Sequence, residues 1–293
     1  MSATPPPTVP SFRSRIGCDA RSGYYAAPHR YRLHLSPACP HCLRIAVTHS
    51  LLGLDDTLPV TLLPAVPDAP GGGHRALRPL YEASSHQYRG PAVAPVLSDN
   101  WTGRIVSTHT SDILRDLARR FAGHGPDLHP RGADEAIAAV GRLCDQGITA
   151  TAQRAGRCGG DSAARDTALA TLLRAMDVLE WRLASHEHVL GDELTVADVQ
   201  LWVTLVQLDT VHRHHLDAAA VHRITDRPRL WAYARRLAAH PAFGSHLDLD
   251  GIARRHHAHC LGREAAGAAV QIVDWAVYAR QEAREPVPAR QPG

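Results

Sequence analysis

The amino-acid sequence predicts an α/β domain followed by an all-α helical domain. Three observations lead to this fold class. An alternating apolar segment passes directly into a helical one near residue 39, a hairpin pattern occupies residues 93–107, and the second half has a helical apolar period almost throughout. The length of 293 residues suits two modest domains, each able to bury a core of its own.

The first two predicted elements meet at a cysteine. The segment from Tyr31 to Leu35 alternates apolar with polar side chains, which is typical of a strand. Apolar residues then recur at helical spacing between Pro40 and Gly53, and proline and glycine suit the first position and the end of a helix. A strand therefore delivers the chain to a helix N-terminus at Cys39.

Turn residues divide the rest of the α/β domain. Residues 60–63 are strand-like, and a proline- and glycine-rich insert follows at 64–73. Residues 93–107 contain two apolar runs around a turn, which indicates a hairpin. Residues 108–121 then have the period of a helix.

In the second half, the apolar positions predict a helical bundle. One predicted helix places Leu172 and Met176 on a single face, and another does so with Val199 and Trp202. We predict an N-terminal arm at 1–30, the α/β domain at 31–122, a linker at 123–132, the helical domain at 133–260 and a C-terminal tail with one short helix at 261–293. The arm is expected to be extended and partly disordered, so that order begins near residue 31.

Composition argues against several classes of partner. The chain has 32 basic and 29 acidic residues, spread along its length, which does not predict nucleic-acid binding. It has no long apolar run and no secretory signal pattern, so we expect a cytoplasmic protein that does not bind a membrane. In that reducing compartment, free thiols are expected for the six cysteines.

The segment Cys39-Pro40-His41-Cys42 is the first candidate for chemistry. A cysteine at a helix N-terminus faces free backbone N–H groups and the positive end of the helix dipole, and both favour the thiolate. At pH 7 a thiol with a pKa of about 8.5 is roughly 3% ionised, whereas a pKa about two units lower makes it roughly three-quarters ionised.

His41 and Arg44 would add positive charge near Cys39. Cys42 would supply a second thiol able to resolve a mixed disulfide, and half of a zinc site is the alternative interpretation.

The dipeptide Ala94-Pro95 is the second candidate. Proline is nearly the only residue that accepts a cis peptide bond at modest cost. In a thioredoxin-like fold, such a proline turns the backbone of the preceding residue toward the thiol, where it pairs with a peptide-like ligand. With a Cys-x-x-Cys segment at a helix start, this predicts that the α/β domain is thioredoxin-like.

Seven segments carry a resemblance to a known family. They are Tyr25 to Tyr31, Ala38 to Pro40 with Arg44, Ala94 to Leu97, Thr102 to Val106, Gly191 to Asp198, Leu205 to Asp209 and Asp226 to Tyr233. In this order they resemble the glutathionyl-hydroquinone reductases, the Xi class of glutathione transferases, which are omega-like and of the cysteine type. The resemblance implies glutathione transferase architecture. Thr195 and Asp198 have the spacing of a capping box, so Asp198 is predicted to start a helix.

The resemblance also implies a reaction. The Cys39 thiolate would attack the sulfur of a glutathionylated hydroquinone, release the quinol and keep glutathione as a mixed disulfide, which a second glutathione would resolve. The implied partners are glutathione or another low-molecular-weight thiol as cosubstrate, an aromatic or quinone-like substrate, and a second copy of the chain in a homodimer.

The sequence departs from the family pattern near the thiol. The family has tryptophan two residues after the cysteine, where this chain has His41. It has Glu-Ser at the helix start that binds the γ-glutamyl group, where this chain has His109 and Thr110, followed by Ser111. A helix N-terminus with hydroxyl groups still favours a substrate carboxylate, so a different small thiol remains possible.

The predicted substrate pocket departs as well. Positions at which the family carries tyrosine hold Thr149, His212 and either His256 or His257. Imidazole can perform acid–base work near neutral pH. If the two histidine-rich segments meet in space, three imidazoles could bind a transition metal, but we expect pocket-lining histidines and no metal.

Three functions follow from these observations. The first is the cysteine-dependent thiol transferase or reductase described above. The second is a dithiol oxidoreductase that uses Cys39 and Cys42. The third is a transferase-like binding protein without catalysis. The loss of the family's Glu-Ser and tyrosines would explain why such a protein lacks activity.

Overall fold

The computed structural model describes residues 11–121, 125–156, 162–260 and 271–279. Within them, a four-stranded sheet with helices comes first and a helical domain follows, which confirms the predicted fold class. Among the described residues, no helix combines the length and the apolar character needed to cross a membrane.

The sheet contains strands β1 to β4 in the order β2-β1-β3-β4. β1 is parallel to β2 and antiparallel to β3, and β3 is antiparallel to β4. Leu33 in the centre of β1 lies between Val60 of β2 and Leu97 of β3, so the cysteine that follows β1 emerges from the middle of the sheet. The strand bounds are Tyr31–Leu35, Val60–Leu62, Val96–Asp99 and Arg104–Ser107.

Three helices accompany the sheet: α1 (Pro40–Leu51), α2 (Arg78–Ser84) and α3 (Thr110–Asp116), and α3 continues as a π-helical segment over Leu117–Phe121. The sequence predicted α1 and α3, but not α2. This helix has only seven residues, which are too few for a helical apolar period to be recognised. Tyr81 is its one buried residue.

The C-terminal half is helical, as predicted. Its helices are α4 (Asp134–Arg142), a π-helical segment (Leu143–Thr149), α5 (Ala150–Ala155), α6 (Ser162–Arg182), α7 (Val196–Thr210), a 3-10 turn (His212–His215), α8 (Ala218–Thr225), α9 (Pro228–Ala238), α10 (Pro241–Gly244), α11 (Leu249–Cys260) and the short α12 (Ala276–Ala279). The short helix expected in the tail is α12; residues 261–270 and 280–293 lie outside the described part.

Helix α7 is the centre of the helical domain, because most of its residues are buried on every side. Trp202 contacts Phe243 and Trp275 edge to face, with ring centroids 5.1 and 6.1 Å apart. Such large apolar contacts fix the position of α7 relative to the helices around it.

Helix α1 packs on both domains at once. Ile45 belongs to the cluster of buried residues beneath the sheet, whereas Leu43 and Val47 belong to the core of the helical domain. The cysteine at the N-terminus of α1 is therefore held at the boundary between the two domains.

The predicted capping box at the start of α7 is confirmed. The Thr195 hydroxyl accepts a hydrogen bond from the Ala197 N–H, and the Asp198 carboxylate accepts one from the Thr195 N–H at 2.9 Å. Asp198 also accepts hydrogen bonds from the Val189 N–H at 2.8 Å and the Tyr233 hydroxyl at 2.7 Å. Two of the segments that carry the family resemblance, 191–198 and 226–233, thus meet at one buried carboxylate.

The expectation that order begins near residue 31 is wrong, because the structure describes residues 11–30 and ion pairs hold Arg13, Arg15 and Arg30. Asp116 of α3 accepts hydrogen bonds from the Ile16 N–H at 2.9 Å and from the Arg15 guanidinium. At the other end, Arg30 forms a buried ion pair with Asp99 at 3.1 Å. These partners are 69 to 101 residues away in sequence, so local composition gave no sign of them.

We expect Asp116→Ala to release the arm. The change leaves the buried Ile16 N–H without its acceptor, which costs about 1–3 kcal/mol, so tryptic cleavage in the arm should become about tenfold faster. Limited trypsin digestion followed by mass spectrometry measures this rate. Asp56→Ala, at an exposed aspartate between α1 and β2, is the matched control. Equal cleavage of all three proteins would contradict the role of Asp116.

Candidate active site

Cys39 lies at the N-terminus of α1, immediately before Pro40. Its extended backbone ends the segment after β1, and its carbonyl accepts the first helical hydrogen bond, from the Leu43 N–H at 2.8 Å. The side chain is 5% exposed. The thiol therefore sits where the free N–H groups of the first helical turn favour negative charge, as the sequence predicts.

The neighbouring thiol sets the ionisation of Cys39. Cys42 donates hydrogen bonds from its S–H and its backbone N–H to the Cys39 sulfur, and these lower the Cys39 pKa against the opposing effect of burial. Burial, and the hydrogen bond and charge of Cys39, raise the Cys42 pKa well above its ordinary value. The pair thus consists of an ionisable thiol and a partner that keeps its proton.

Arg255 of α11 is a functional candidate that sequence reasoning missed. Its positive charge also lowers the Cys39 pKa, together with that of His41. Its Nη1 donates a hydrogen bond to the Ala65 carbonyl at 3.2 Å, which holds the side chain over the α/β domain. Arg255 is 216 residues from Cys39, next to a second arginine in the same helix, so only the fold distinguishes it.

We expect Cys42→Ala to raise the pKa of Cys39 by about one unit or more, because the thiolate loses its side-chain donor. Cys42→Ser retains a donor at the same position and should stay closer to wild type. The pH dependence of alkylation by iodoacetamide, with the modified peptide identified by mass spectrometry, measures both. If the alanine variant titrates like wild type, the hydrogen bond does not control this thiol.

The Ala94-Pro95 peptide bond is cis, as predicted. Pro95 is buried, and Ala94 packs against the cluster of buried residues that contains Cys39 and Cys42. The backbone before β3 therefore lies against the same buried cluster that contains the thiol pair.

Arg44 and His41 lie on the first turns of α1 but have different surroundings. His41 is exposed, whereas Arg44 is buried and donates from Nη2 to the Asp145 carboxylate at 3.3 Å. Asp145 lies in the π-helical segment after α4 and also accepts from Gln200 of α7 at 3.1 Å. Arg44 thus joins the two domains and acts on the site through the position of α1.

The predicted binding residues His109, Thr110 and Ser111 lie at the N-terminus of α3. His109 precedes the helix, and its Nδ1 is 3.2 Å from the Asp112 carboxylate and 3.3 Å from the Arg13 guanidinium. Thr110 begins the helix and is half-buried, while Ser111 is exposed. Asp112 and Arg13 place an acidic and a basic group near this helix start. The sequence alone did not indicate that these two side chains form an ion pair.

Ser111 opens onto a cavity of about 270 Å³ between α3 and the helical domain. Its wall includes Arg115 and Arg142 with Asp134 and Asp145, so both signs of charge face the space. A second cavity of about 330 Å³ is lined by Cys42, Pro37 and the loop at 245–248. Ligand-sized space therefore exists in two places, one beside the start of α3 and one beside Cys42 on α1.

The structure brings some of the predicted pocket histidines together. His212 and His256 are both buried near His215, whereas His257 is exposed on α11 and Thr149 is half-buried at the end of the π-helical segment. Burial first, and then the charges of His215 and His256, lower the pKa of His212 to about 4. This imidazole is consequently neutral at pH 7 and does not act as an ionised acid there.

Comparisons with known proteins agree with this fold and site. A family model described as the C-terminal domain of glutathione S-transferase matches residues 162–236. The glutathionyl-hydroquinone reductase PcpF of Sphingobium chlorophenolicum is 29% identical over 266 residues, which cover 85% of this chain and 82% of that protein. The glutathionyl-hydroquinone reductase YqjG of Escherichia coli K12 is 27% identical over 259 residues, covering 82% and 78%.

Solved structures give the same result. The Xi-class glutathione transferase from Natrialba magadii superposes with a TM-score of 0.76 at 26% identity, over 90% of this chain and 87% of that one. The glutathione-bound structure of YqjG from Escherichia coli K-12 gives 0.74 at 26% identity, over 86% and 89%. The fold and these relatives thus identify a glutathione-transferase-like enzyme. Within that class, the chain is a relative of the glutathionyl-hydroquinone reductases, and the predicted resemblance is confirmed.

Proposed function

We propose that this enzyme removes glutathione from S-conjugated, hydroquinone-like compounds through a mixed disulfide on Cys39. The observation that carries the proposal is the Cys39 thiol at the N-terminus of α1, whose pKa is lowered by hydrogen bonds from Cys42 and by the charge of Arg255. A thiolate populated near neutral pH is the form that attacks sulfur.

In the first half of the reaction, the Cys39 thiolate attacks the glutathione sulfur of the conjugate. The new S–S bond forms as the bond between sulfur and the aromatic carbon breaks, and that carbon takes a proton from solvent, which frees the hydroquinone. In the second half, a glutathione thiolate attacks the mixed disulfide, and Cys39 leaves as a thiolate. The products are hydroquinone and glutathione disulfide, whose formation supplies the two electrons that reduce the conjugate.

The thiol site supports glutathione as the cosubstrate. The Ala94-Pro95 bond is cis, Ala94 packs against the buried cluster that contains both cysteines, and a relative with this fold has been solved with glutathione bound. The N-terminus of α3 offers free N–H groups and the Thr110 hydroxyl to a carboxylate. Arg13 and Asp112 form an ion pair at 3.0 Å beside His109, so one charge of each sign lies at the same place in a chain that lacks the family's Glu-Ser.

A dithiol oxidoreductase is the second candidate, because Cys42 is in hydrogen-bond contact with Cys39. A Cys39 mixed disulfide could then be resolved by Cys42 within the protein, with both sulfurs oxidised to a disulfide. Burial, the largest cause of the raised Cys42 pKa, persists when Cys39 is in a mixed disulfide. It argues against this function, because a thiol that keeps its proton is a poor nucleophile.

Turnover with two substrates separates the candidates. We expect the purified enzyme to release hydroquinone from a glutathionylated hydroquinone only when glutathione is present, and not to reduce the disulfides of insulin. Chromatography of the released quinol and the turbidity of reduced insulin measure the two reactions. Insulin reduction alone would favour the dithiol function. No turnover with glutathione, cysteine or another small thiol would favour a binding protein.

We also expect a homodimer, as the family resemblance implies, and a cytoplasmic location, as the sequence pattern implies. Light scattering coupled to size-exclusion chromatography should give twice the mass of one chain, and a mass of one chain would contradict this expectation.

A further inference from the structure

Two histidine-rich segments that are distant in sequence meet beside the core of the helical domain. One is the 3-10 turn His212–His215 after α7, and the other is the C-terminal end of α11. The Nε2 atoms of His215 and His256 are 2.8 Å apart, and the Cys260 sulfur is 3.3 Å from the same atom of His215. One nitrogen or sulfur atom from each of the three side chains lies within 4.8 Å of the others.

These separations are close to those of ligands around one zinc ion. Zinc–nitrogen bonds of about 2.0–2.1 Å and zinc–sulfur bonds of about 2.3 Å, at a tetrahedral angle, place two nitrogens about 3.4 Å apart and nitrogen and sulfur about 3.6 Å apart. The observed 2.8 and 3.3 Å need an opening of about 0.6 and about 0.3 Å, and the third pair, which lies within 4.8 Å, needs to close toward about 3.6 Å. Rotation of the side chains supplies that movement, because His215 and Cys260 are only half-buried.

We propose that His215, His256 and Cys260 bind a zinc ion. The donor set of two imidazole nitrogens and one thiolate suits zinc, whereas magnesium and calcium prefer oxygen ligands. Binding forms two nitrogen–zinc bonds and one sulfur–zinc bond, and the Cys260 thiol releases its proton to solvent. Three protein ligands leave a fourth position for water.

The surroundings favour one orientation of these ligands. The His214 ring stacks on His256 with centroids 5.4 Å apart, and the His215 ring meets His256 edge to face at 5.0 Å. Packing of this kind reduces the rotamer freedom that a ligand loses on binding an ion. A cluster of three donors on two separate elements is therefore partly organised before any metal arrives.

The site would also connect to the reactive thiol. His256 follows Arg255 on α11, and Arg255 acts on the Cys39 pKa. An ion that joins α11 to the turn after α7 restrains the helix that carries Arg255. The proposal nevertheless concerns metal binding alone and holds whether or not the enzyme acts on hydroquinones.

The test is titration of the metal-free, full-length protein with cobalt(II), a spectroscopic substitute for zinc. Because Cys39 and Cys42 could bind metal themselves, the titration uses the Cys39→Ser/Cys42→Ser double variant. We expect one cobalt ion per chain, with a thiolate-to-cobalt charge-transfer band in the near ultraviolet and displacement of the band by zinc. Zinc should also raise the thermal midpoint of this protein.

Variants of the three ligands decide the assignment. Cys260→Ser should abolish the charge-transfer band, and His215→Ala and His256→Ala should each weaken binding by more than about 100-fold, since loss of an outer-shell partner alone costs 10–100-fold. His222→Ala, at an exposed histidine of α8, and Cys18→Ser, at an exposed cysteine, are the matched controls and should bind as the double variant does. Circular dichroism establishes that each variant is folded.

Two results would overturn the proposal. One is a cobalt spectrum without a thiolate band in the Cys39→Ser/Cys42→Ser protein. The other is unchanged affinity in either His256→Ala or Cys260→Ser, which would mean that the three side chains form hydrogen bonds with one another and do not bind an ion.

Discussion

Replacement of Cys39 by serine is expected to lower the rate of hydroquinone release by about 10³-fold or more, the scale on which loss of a nucleophile acts. A serine hydroxyl does not ionise near neutral pH, and the helix N-terminus and the hydrogen bonds from Cys42 that stabilise a thiolate cannot make it do so. Steady-state kinetics with a glutathionylated hydroquinone measures the loss, with binding of glutathione followed separately by calorimetry.

The matched controls are two other cysteines. Cys18→Ser changes an exposed cysteine of the arm and should leave the rate unchanged. Cys144 is buried in the helical domain, and burial raises its pKa to about 12, so it stays protonated and takes no part. A Cys39→Ser enzyme that retains more than a tenth of the wild-type rate would exclude Cys39 as the nucleophile.

Replacement of Asp209 by alanine is expected to have the largest effect on stability. Asp209 lies in α7 with its side chain fully buried, at 0% exposure. It accepts hydrogen bonds from the N–H groups of Ile272 and Val273 and from the Trp275 indole, each at 2.9 Å, and pairs with Arg213 at 3.2 Å. One carboxylate thus attaches the segment 271–279 to the central helix of the domain.

The alanine variant leaves two buried N–H groups and an indole N–H without their acceptor, beside the Arg213 cation. Breaking such a buried pair costs about 3–5 kcal/mol. Thermal unfolding should show the loss as a midpoint lower by about 5–15 °C. Asp209→Asn keeps the shape and one carbonyl acceptor and should lose less. Equal midpoints for wild type and Asp209→Ala would contradict the role assigned to this carboxylate.

Local patterns predicted the elements that position the reactive thiol. Alternation in β1, the helical period after Pro40 and the dipeptide Ala94-Pro95 are all properties of neighbouring residues, and each was found as predicted. The capping box of Thr195 and Asp198 was predictable for the same reason, because its partners are three residues apart.

Partners that are distant in sequence could not be predicted. The arm is held by Asp112 and Asp116, which are about 100 residues away in sequence. Arg255, whose charge lowers the Cys39 pKa, belongs to α11. In a chain with many arginines and histidines, composition does not say which cation faces a thiolate or which imidazoles meet. Cys260, with no motif around it, joins the histidines only because α11 packs against the turn after α7.

We propose that Cys39 carries glutathione during the reaction, and one measurement tests this role directly. Enzyme is mixed with an equimolar amount of glutathionylated hydroquinone, no free glutathione is added, and the products are analysed by intact-protein and peptide mass spectrometry. We expect one glutathione per chain, attached at Cys39, with an equal amount of free hydroquinone. Glutathione on another cysteine, or free hydroquinone with no adduct on Cys39 when Cys42 is replaced by serine, would contradict it.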